Sequence, residues 1–327
     1  MRASPVPGFP AIVPPPFRMR PFLALLPSLA LLGPQSTATV LYGVTATDLV
    51  TIDSTTGVGS VVGSLGLTVL PDSPPGALVS AGPLAWHPGD QQLYGLVYDA
   101  AFAASGGDPL ANINVVNQRL VRIDPANGHA TTVAVFGPRA TSFAYDALEY
   151  LGGAVNSLVI SRSLLVGSTS SQELATVTTG GVLTSFRTTA IDNDLLAGGP
   201  SPSLLYSLDP NNSVPSDRGR LLDVASAPPS STPLTGSLPS ETTGELAYDL
   251  AGNRLYALDY SLGGGSHNLY RLALSGGTAL SLEATLTVSG DQVRGIAFAT
   301  AVPEPRAWPW LAAVFLGSWT LARRRRP

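Results

Sequence analysis

Short apolar and aromatic segments recur through the body of the chain, separated by polar turns rich in Gly, Pro, Asn and Asp. One segment reads Leu41-Tyr42-Gly43-Val44. It returns as Leu93-Tyr94-Gly95-Leu96, Leu205-Tyr206-Ser207-Leu208 and Leu255-Tyr256-Ala257-Leu258, with a weaker copy at Leu164-Leu165-Val166-Gly167. A second strand-like segment follows each, at Leu49–Asp53, Leu120–Asp124, Leu174–Val177, Leu221–Val224 and Leu269–Leu272. Turns such as Asp53-Ser54-Thr55-Thr56-Gly57 and Asp124-Pro125-Ala126-Asn127-Gly128 lead into a third, for example Ser60–Leu65 and Ala130–Phe136. A fourth, seen as Leu84-Ala85-Trp86, Phe143-Ala144-Tyr145 and Leu246-Ala247-Tyr248, precedes the aromatic segment. Runs this short, rich in β-branched and aromatic residues and bounded by turn formers, predict β-strands.

The repeat is regular. Tyr42 and Tyr94 lie 52 residues apart, and Tyr206 and Tyr256 lie 50 apart. Four short strands in a unit of ~40–50 residues mark a propeller blade. The first unit lacks its fourth segment ahead of Leu41, and a matching piece, Gly295-Ile296-Ala297-Phe298, stands at the far end of the body. A ring does this when its last strand completes its first blade. The expected fold class is all-β: a β-propeller over residues 39–300, with five four-stranded blades closed by the C-terminal strand. Four or six blades are the alternatives, because a long insertion around Leu148–Ser157 blurs the third unit and the fourth is weakly marked. A β-sandwich of similar hairpins leaves the displaced strand unexplained. Closure hides backbone edges that an open sheet would offer for pairing. The longest expected loops, Leu67–Pro83, Ala100–Gln118 and Pro210–Arg220, are where variable contacts would fall.

Composition removes several options. The 327 residues include 34 Gly, 29 Pro and no Cys, which excludes a disulfide scaffold, a thiolate metal site and a cysteine nucleophile. All 18 basic residues are Arg. The net charge of −4 hides an asymmetry: residues 39–302 hold 10 Arg against 21 Asp plus Glu, while both ends are basic. An acidic body repels phosphates, so nucleic acid is not an expected partner. Each basic cluster adjoins an apolar run, an arrangement that reads as membrane topology.

At the N-terminus, Arg18-Met19-Arg20 precedes the apolar run Phe22–Leu32 and then Ser36-Thr37-Ala38. That order predicts a secretory signal cut after Ala38, so 1–38 is read as a Pro-rich leader and signal peptide with translation starting at Met19. At the C-terminus, Pro303-Glu304-Pro305 is followed by the largely apolar Ala307–Ala322 and then by Arg323, Arg324, Arg325 and Arg326. Trp308, Trp310 and Trp319 lie near the ends of this run, where indole rings favour a membrane interface. The run predicts a short transmembrane helix, and the arginines a cytoplasmic stop that leaves the body outside.

This three-part ending over 301–327 resembles the PEP-CTERM sorting signal of Gram-negative bacteria. The resemblance implies processing by an exosortase, a membrane-embedded enzyme. Pro303, Glu304 and Pro305 would be its recognition element, the helix a transient anchor in the inner membrane, and Arg323 to Arg326 the stop. It further implies a mature protein at the cell surface or in the exopolysaccharide matrix. It leaves the body uninterpreted. A plain single-pass anchor is the alternative reading of the same tail.

Within the body, Gly57-Val58-Gly59-Ser60-Val61-Val62-Gly63 is similar to a dinucleotide fingerprint with one extra residue. A β segment follows it where that motif needs a helix, so it reads as a hairpin. His87, His129 and His267 are the only histidines, and no two have metal-ligand spacing. Asp192-Asn193-Asp194 and Asp209-Pro210-Asn211-Asn212-Ser213 offer loop oxygens of the kind Ca2+ takes, though Asx residues in turns usually bond their own backbone. No cofactor is expected, with Ca2+ the one metal for which donors exist. No Gly-x-Ser-x-Gly elbow and no local Ser/His/Asp set occur, so no catalytic residue is assigned. Arg119, Arg122, Arg220, Arg254 and Arg271 read as caps on exposed strands rather than as a channel lining for acidic polysaccharide. The expected role is a non-enzymatic binding module of the envelope. Its rivals are a permanently anchored binding module and a surface enzyme acting on polysaccharide, the latter marked by carboxylates converging in one pocket.

Overall fold

The computed structural model describes residues 39–300, except 74, 103–112, 137–142, 167–168, 190–192, 210–217, 235–242, 260–266, 273, 275–279 and 289–291. Ala38, Pro303 to Pro305, the apolar run 307–322 and Arg323 to Arg326 lie outside the described residues. Five four-stranded antiparallel sheets follow the five repeats. Blade 1 contains β1 (Thr39–Val44), β2 (Asp48–Ile52) and β3 (Gly59–Ser64). Blade 2 is β4 (Leu78–His87), β5 (Gln92–Phe102), β6 (Ile113–Ile123) and β7 (Ala130–Val135). Blade 3 is β8 (Phe143–Leu151), β9 (Ser157–Val166), β10 (Thr169–Val177) and β11 (Leu183–Thr189). Blade 4 is β12 (Leu195–Gly198), β13 (Leu204–Leu208), β14 (Gly219–Asp223) and β15 (Ser230–Pro233). Blade 5 is β16 (Thr243–Asp249), β17 (Arg254–Asp259), β18 (Asn268–Leu272) and β19 (Leu280–Thr285). The final strand, β20 (Gly295–Thr300), returns to blade 1 and pairs with β1 from Thr39 opposite Thr300 to Val44 opposite Gly295. No helix occurs among the described residues, and so none long and apolar enough to cross a membrane.

The innermost strands close the ring: β20 touches β4, β4 touches β8, β8 touches β12, β12 touches β16, and β16 touches β20. Both faces of a blade are therefore covered, which is why its strands carry apolar residues at consecutive positions as well as alternate ones. The core divides into five buried clusters, one at each blade–blade interface. On the rim, the turn after β2 fastens blade 1 to blade 5. Gly59 N–H donates to Thr287 O at 3.0 Å, and Thr287 N–H donates to Gly57 O at 2.9 Å. Gly57 has φ of +75°, and a Cβ there would lie 2.2 Å from Thr285 O, so only glycine fits this clasp.

Blade 3 differs from the sequence expectation in register. Leu158-Val159-Ile160, and not Leu164-Leu165-Val166, occupies the place of Leu93-Tyr94-Gly95. Leu148-Glu149-Tyr150 takes the place of Leu84-Ala85-Trp86, so Leu148–Ser157 is the end of β8 and its turn rather than an insertion. The expected loops are also shorter: Leu78–Pro83 belongs to β4, and Ala100–Phe102 with Ile113–Gln118 prolongs the β5–β6 hairpin.

Candidate functional site

Directly opposed residues on paired strands share a face of the sheet. In four blades the innermost strand sets an Ala opposite the Tyr of its neighbour: Ala297 and Tyr42, Ala85 and Tyr94, Ala197 and Tyr206, Ala247 and Tyr256. The small side chain leaves room for the ring. That ring then meets an aromatic from the next blade. Tyr206 lies 5.4 Å from Tyr248 and Tyr256 lies 5.2 Å from Phe298, between ring centres. Tyr42 with Trp86, and Tyr94 with Tyr150, share a cluster in the same way.

The interface between blades 3 and 4 breaks this rule. Glu149 stands opposite Val159, where the other blades have Ala opposite Tyr, and the aromatic position of blade 4 is Gly198. Two rings are replaced by one carboxyl. Glu149 and Gly198 are half-buried, whereas the four equivalent alanines are at most 5% exposed.

The surroundings of this carboxyl are specific. Tyr150 N–H donates to Glu149 Oε1 at 2.7 Å, and Gly198 N–H also donates to the group. A Cβ on Gly198 would lie 3.9 Å from Oε1. Gly199 N–H bonds Leu204 O at 2.9 Å, so by strand alternation Gly198 directs its N–H to the unpaired edge of β12, toward the axis. Glu245 on β16 repeats the motif, accepting from Leu246 N–H at 3.1 Å. Its side chain is fully buried and its Oε2 has no hydrogen-bond partner. None of the ion pairs among the described residues involves either glutamate.

Burial is the main cause that raises the Glu149 carboxyl to about 7, against the two backbone N–H groups that lower it. Burial also pushes Glu245 well above the usual carboxylate range, and the charge of Glu149 adds to this. The seam holds other polar groups. Ser161 is fully buried with no partner for Oγ, and its position opposite Ala147 puts it on the Glu149 face. Asn193 accepts from Ser207 Oγ at 2.7 Å and donates to Thr189 Oγ1 at 2.8 Å. A carboxyl that titrates near neutrality can hold a cation or deliver a proton.

The structure does not bring the sequence-named residues to this seam. His87 pairs with Asp90 at 2.9 Å in the β4–β5 turn. His129 lines an open polar cleft with Gln92, Arg122, Asp124, Asn127 and Thr131 at the β6–β7 hairpin, and His267 lies ahead of β18. Arg119 is buried, donating to Asp99 at 3.1 Å and to Thr68 O at 2.6 Å. Arg220 donates to Ser231 Oγ, Arg271 pairs with Glu283, and Arg254 opens β17. None of the five arginines sits on an innermost strand. Asp192 and residues 210–213 lie outside the described residues. Among the described residues no three His, Asp or Glu side chains gather as metal ligands. Neither Glu149 nor Glu245 is singled out by sequence reasoning. The available signal is Glu149 standing in the Ala place of a Leu-Ala-aromatic segment.

These features define a five-bladed β-propeller with an acidic pair at its innermost strands. No family model matches the chain, and no curated protein matches it. Among solved structures it is similar to a gluconolactonase, XC5397, from Xanthomonas campestris, at 10% identity over 66% of this chain and 81% of that one, TM-score 0.34. It is also similar to the Hadza microbial sialidase Hz136, at 12% identity over 75% of this chain and 53% of that one, TM-score 0.42. A third likeness is the PQQ-bound aldose sugar dehydrogenase of Streptomyces coelicolor, at 15% identity over 77% and 79%, TM-score 0.38. The five-blade assignment rests on sheet order and strand contacts, not on these likenesses.

Proposed function

We propose that this chain is an exported envelope protein whose propeller is a binding module, released to the cell surface or matrix after an exosortase-type enzyme acts at Pro303-Glu304-Pro305. The observation that carries the reading is the strand pairing that closes the ring, between β1 (Thr39–Val44) and β20 (Gly295–Thr300). Thr39 and Thr300 face each other in one strand pair, so a cut at each signal would leave every blade whole. Fractionation with an antibody to the body tests it in a host that carries an exosortase. The wild-type body should appear at the surface or in the medium, and a Glu304→Ala chain should stay in the inner membrane. Identical distributions would remove the sorting step.

A second reading, a surface enzyme acting on polysaccharide, is favoured by the Glu149 carboxyl on an innermost strand, which burial raises to about 7. Its test is release of reducing ends from envelope polysaccharide, abolished in Glu149→Gln.

A further inference from the structure

We propose that the cleft at the β6–β7 hairpin of blade 2 binds one residue of an acidic sugar chain, with the Arg122 guanidinium taking its carboxylate. Gln92, Arg122, Asp124, Asn127, His129 and Thr131 line a space of about 270 Å³. Strand register gathers them. Arg122 stands opposite both Tyr94 and Thr131, and Gln92, Asp124 and His129 each lie two residues from one of these three. Alternation therefore turns Gln92, Arg122, Asp124, His129 and Thr131 to one side of the blade. Charge then singles out Arg122. The equivalent places in the five blades are Thr51, Arg122, Thr176, Leu221 and Arg271, so two of them are charged. Arg271 is paired with Glu283 at 3.5 Å. Arg122 is exposed, and no ion pair or hydrogen bond among the described residues engages its guanidinium.

The lining decides which anion fits. Asp124 is its one acid, and both carboxylate oxygens serve the turn: Oδ1 accepts from Ala126 N–H at 2.9 Å and Oδ2 from Asn127 Nδ2 at 2.7 Å. A negative charge so close opposes a dianion such as a phosphate monoester, whereas a single planar carboxylate matches the paired N–H groups of one guanidinium. The remaining side chains offer hydroxyl, amide and imidazole groups, the mixture of donors and acceptors that sugar hydroxyls need. No Val, Leu, Ile or Phe lines the space, so an apolar ligand gains little by entering it. The frame is also set before a ligand arrives. Asn127 Oδ1 accepts from His129 N–H at 2.8 Å, and Ala130 N–H donates at 3.0 Å to Leu65 O, just after β3 of blade 1. Binding then has little backbone left to order.

The test is calorimetric titration of the purified full-length chain with tetramers of galacturonate, glucuronate and mannuronate, and with the matching neutral hexose tetramers. The expected result is one saturable site for at least one uronate, preferred over its neutral counterpart by about tenfold or more and weakened by added salt. Arg122→Gln should abolish that preference without lowering the melting temperature. Arg254→Gln, which removes the same charge from an exposed position at the start of β17, should leave binding unchanged. No saturable uronate binding to the wild-type chain would overturn the proposal, as would an equal loss in both variants, which would make net charge the cause. Tighter binding of galactose 6-phosphate than of galacturonate would overturn the choice of a monoanion. The wild-type comparison of acidic with neutral tetramers decides the matter even if Arg122→Gln fails to fold. The site rests on the propeller being a binding module, but a titration in vitro is blind to export, so its failure and that of the sorting step are read separately.

Discussion

Glu149→Gln separates charge from hydrogen bonding at the centre of the ring. The amide oxygen still accepts from Tyr150 and Gly198, so only the ionisable proton is lost. In the folded protein this carboxyl titrates at about 7 against an ordinary 4.5. The native state therefore binds its proton more tightly than the unfolded chain does. The corresponding stability is fully present below the unfolded value and is lost as the pH rises through the folded one. At ~1.4 kcal/mol per pH unit, that interval makes the ionised wild type roughly 3 kcal/mol less stable at about pH 8 than a chain without the charge. Urea unfolding in EGTA at about pH 5 and about pH 8 measures the difference. The variant should exceed the wild type by roughly 2–3 kcal/mol at the higher pH and differ little at the lower. It should keep a residual slope, because Glu245 is shifted in the same direction. Equal stability at the higher pH would refute the reasoning and show that the carboxyl is solvated.

Other substitutions probe the frame around the seam. Val159→Tyr alone must crowd Glu149, whereas Glu149→Ala with Val159→Tyr recreates the pair found in the other blades. A double-mutant cycle should give a favourable coupling of about 1 kcal/mol or more, and additivity would argue against the volume exchange. Asp99→Ala leaves Arg119, 3% exposed, without its carboxylate and strips acceptors from Leu70 N–H and Ser73 Oγ. Chemical unfolding should show a loss of about 3–5 kcal/mol. Gly295→Ala puts a Cβ 2.0 Å from Gly82 O, where β20 meets β4. A thermal melt should report about 1–3 kcal/mol of destabilisation.

The fold was legible because four of the five blades obey one volume rule. Leu-Ala-aromatic followed by Leu-Tyr leaves a readable trace, and Ile296-Ala297-Phe298 carries the same trace to the far end of the chain. Blade 3 was misplaced for the reason that makes it interesting. Val159 in place of Tyr and Glu149 in place of Ala erased the trace, so the nearest apolar run, Leu164-Leu165-Val166, stood in for it. In blade 4, Gly198 hid the innermost strand by the same loss of an aromatic. The acidic pair was illegible for a different cause. Glu149 and Glu245 are 96 residues apart in sequence, on blades 3 and 5, and only ring closure brings their innermost strands around one axis. Buried ion pairs such as Arg119 with Asp99 likewise look like ordinary strand-surface charges until the loop carrying Thr68, Leu70 and Ser73 folds over them.

The central claim is that two processing events free an intact propeller outside the cell. Intact-mass and peptide mass spectrometry of the protein recovered from the envelope and medium of an exosortase-bearing host tests it most directly. The account predicts a mature chain that begins at Thr39 and lacks every peptide beyond Pro305. Recovery of the Trp308–Arg323 region with the body in membranes would contradict it and make the tail a permanent anchor.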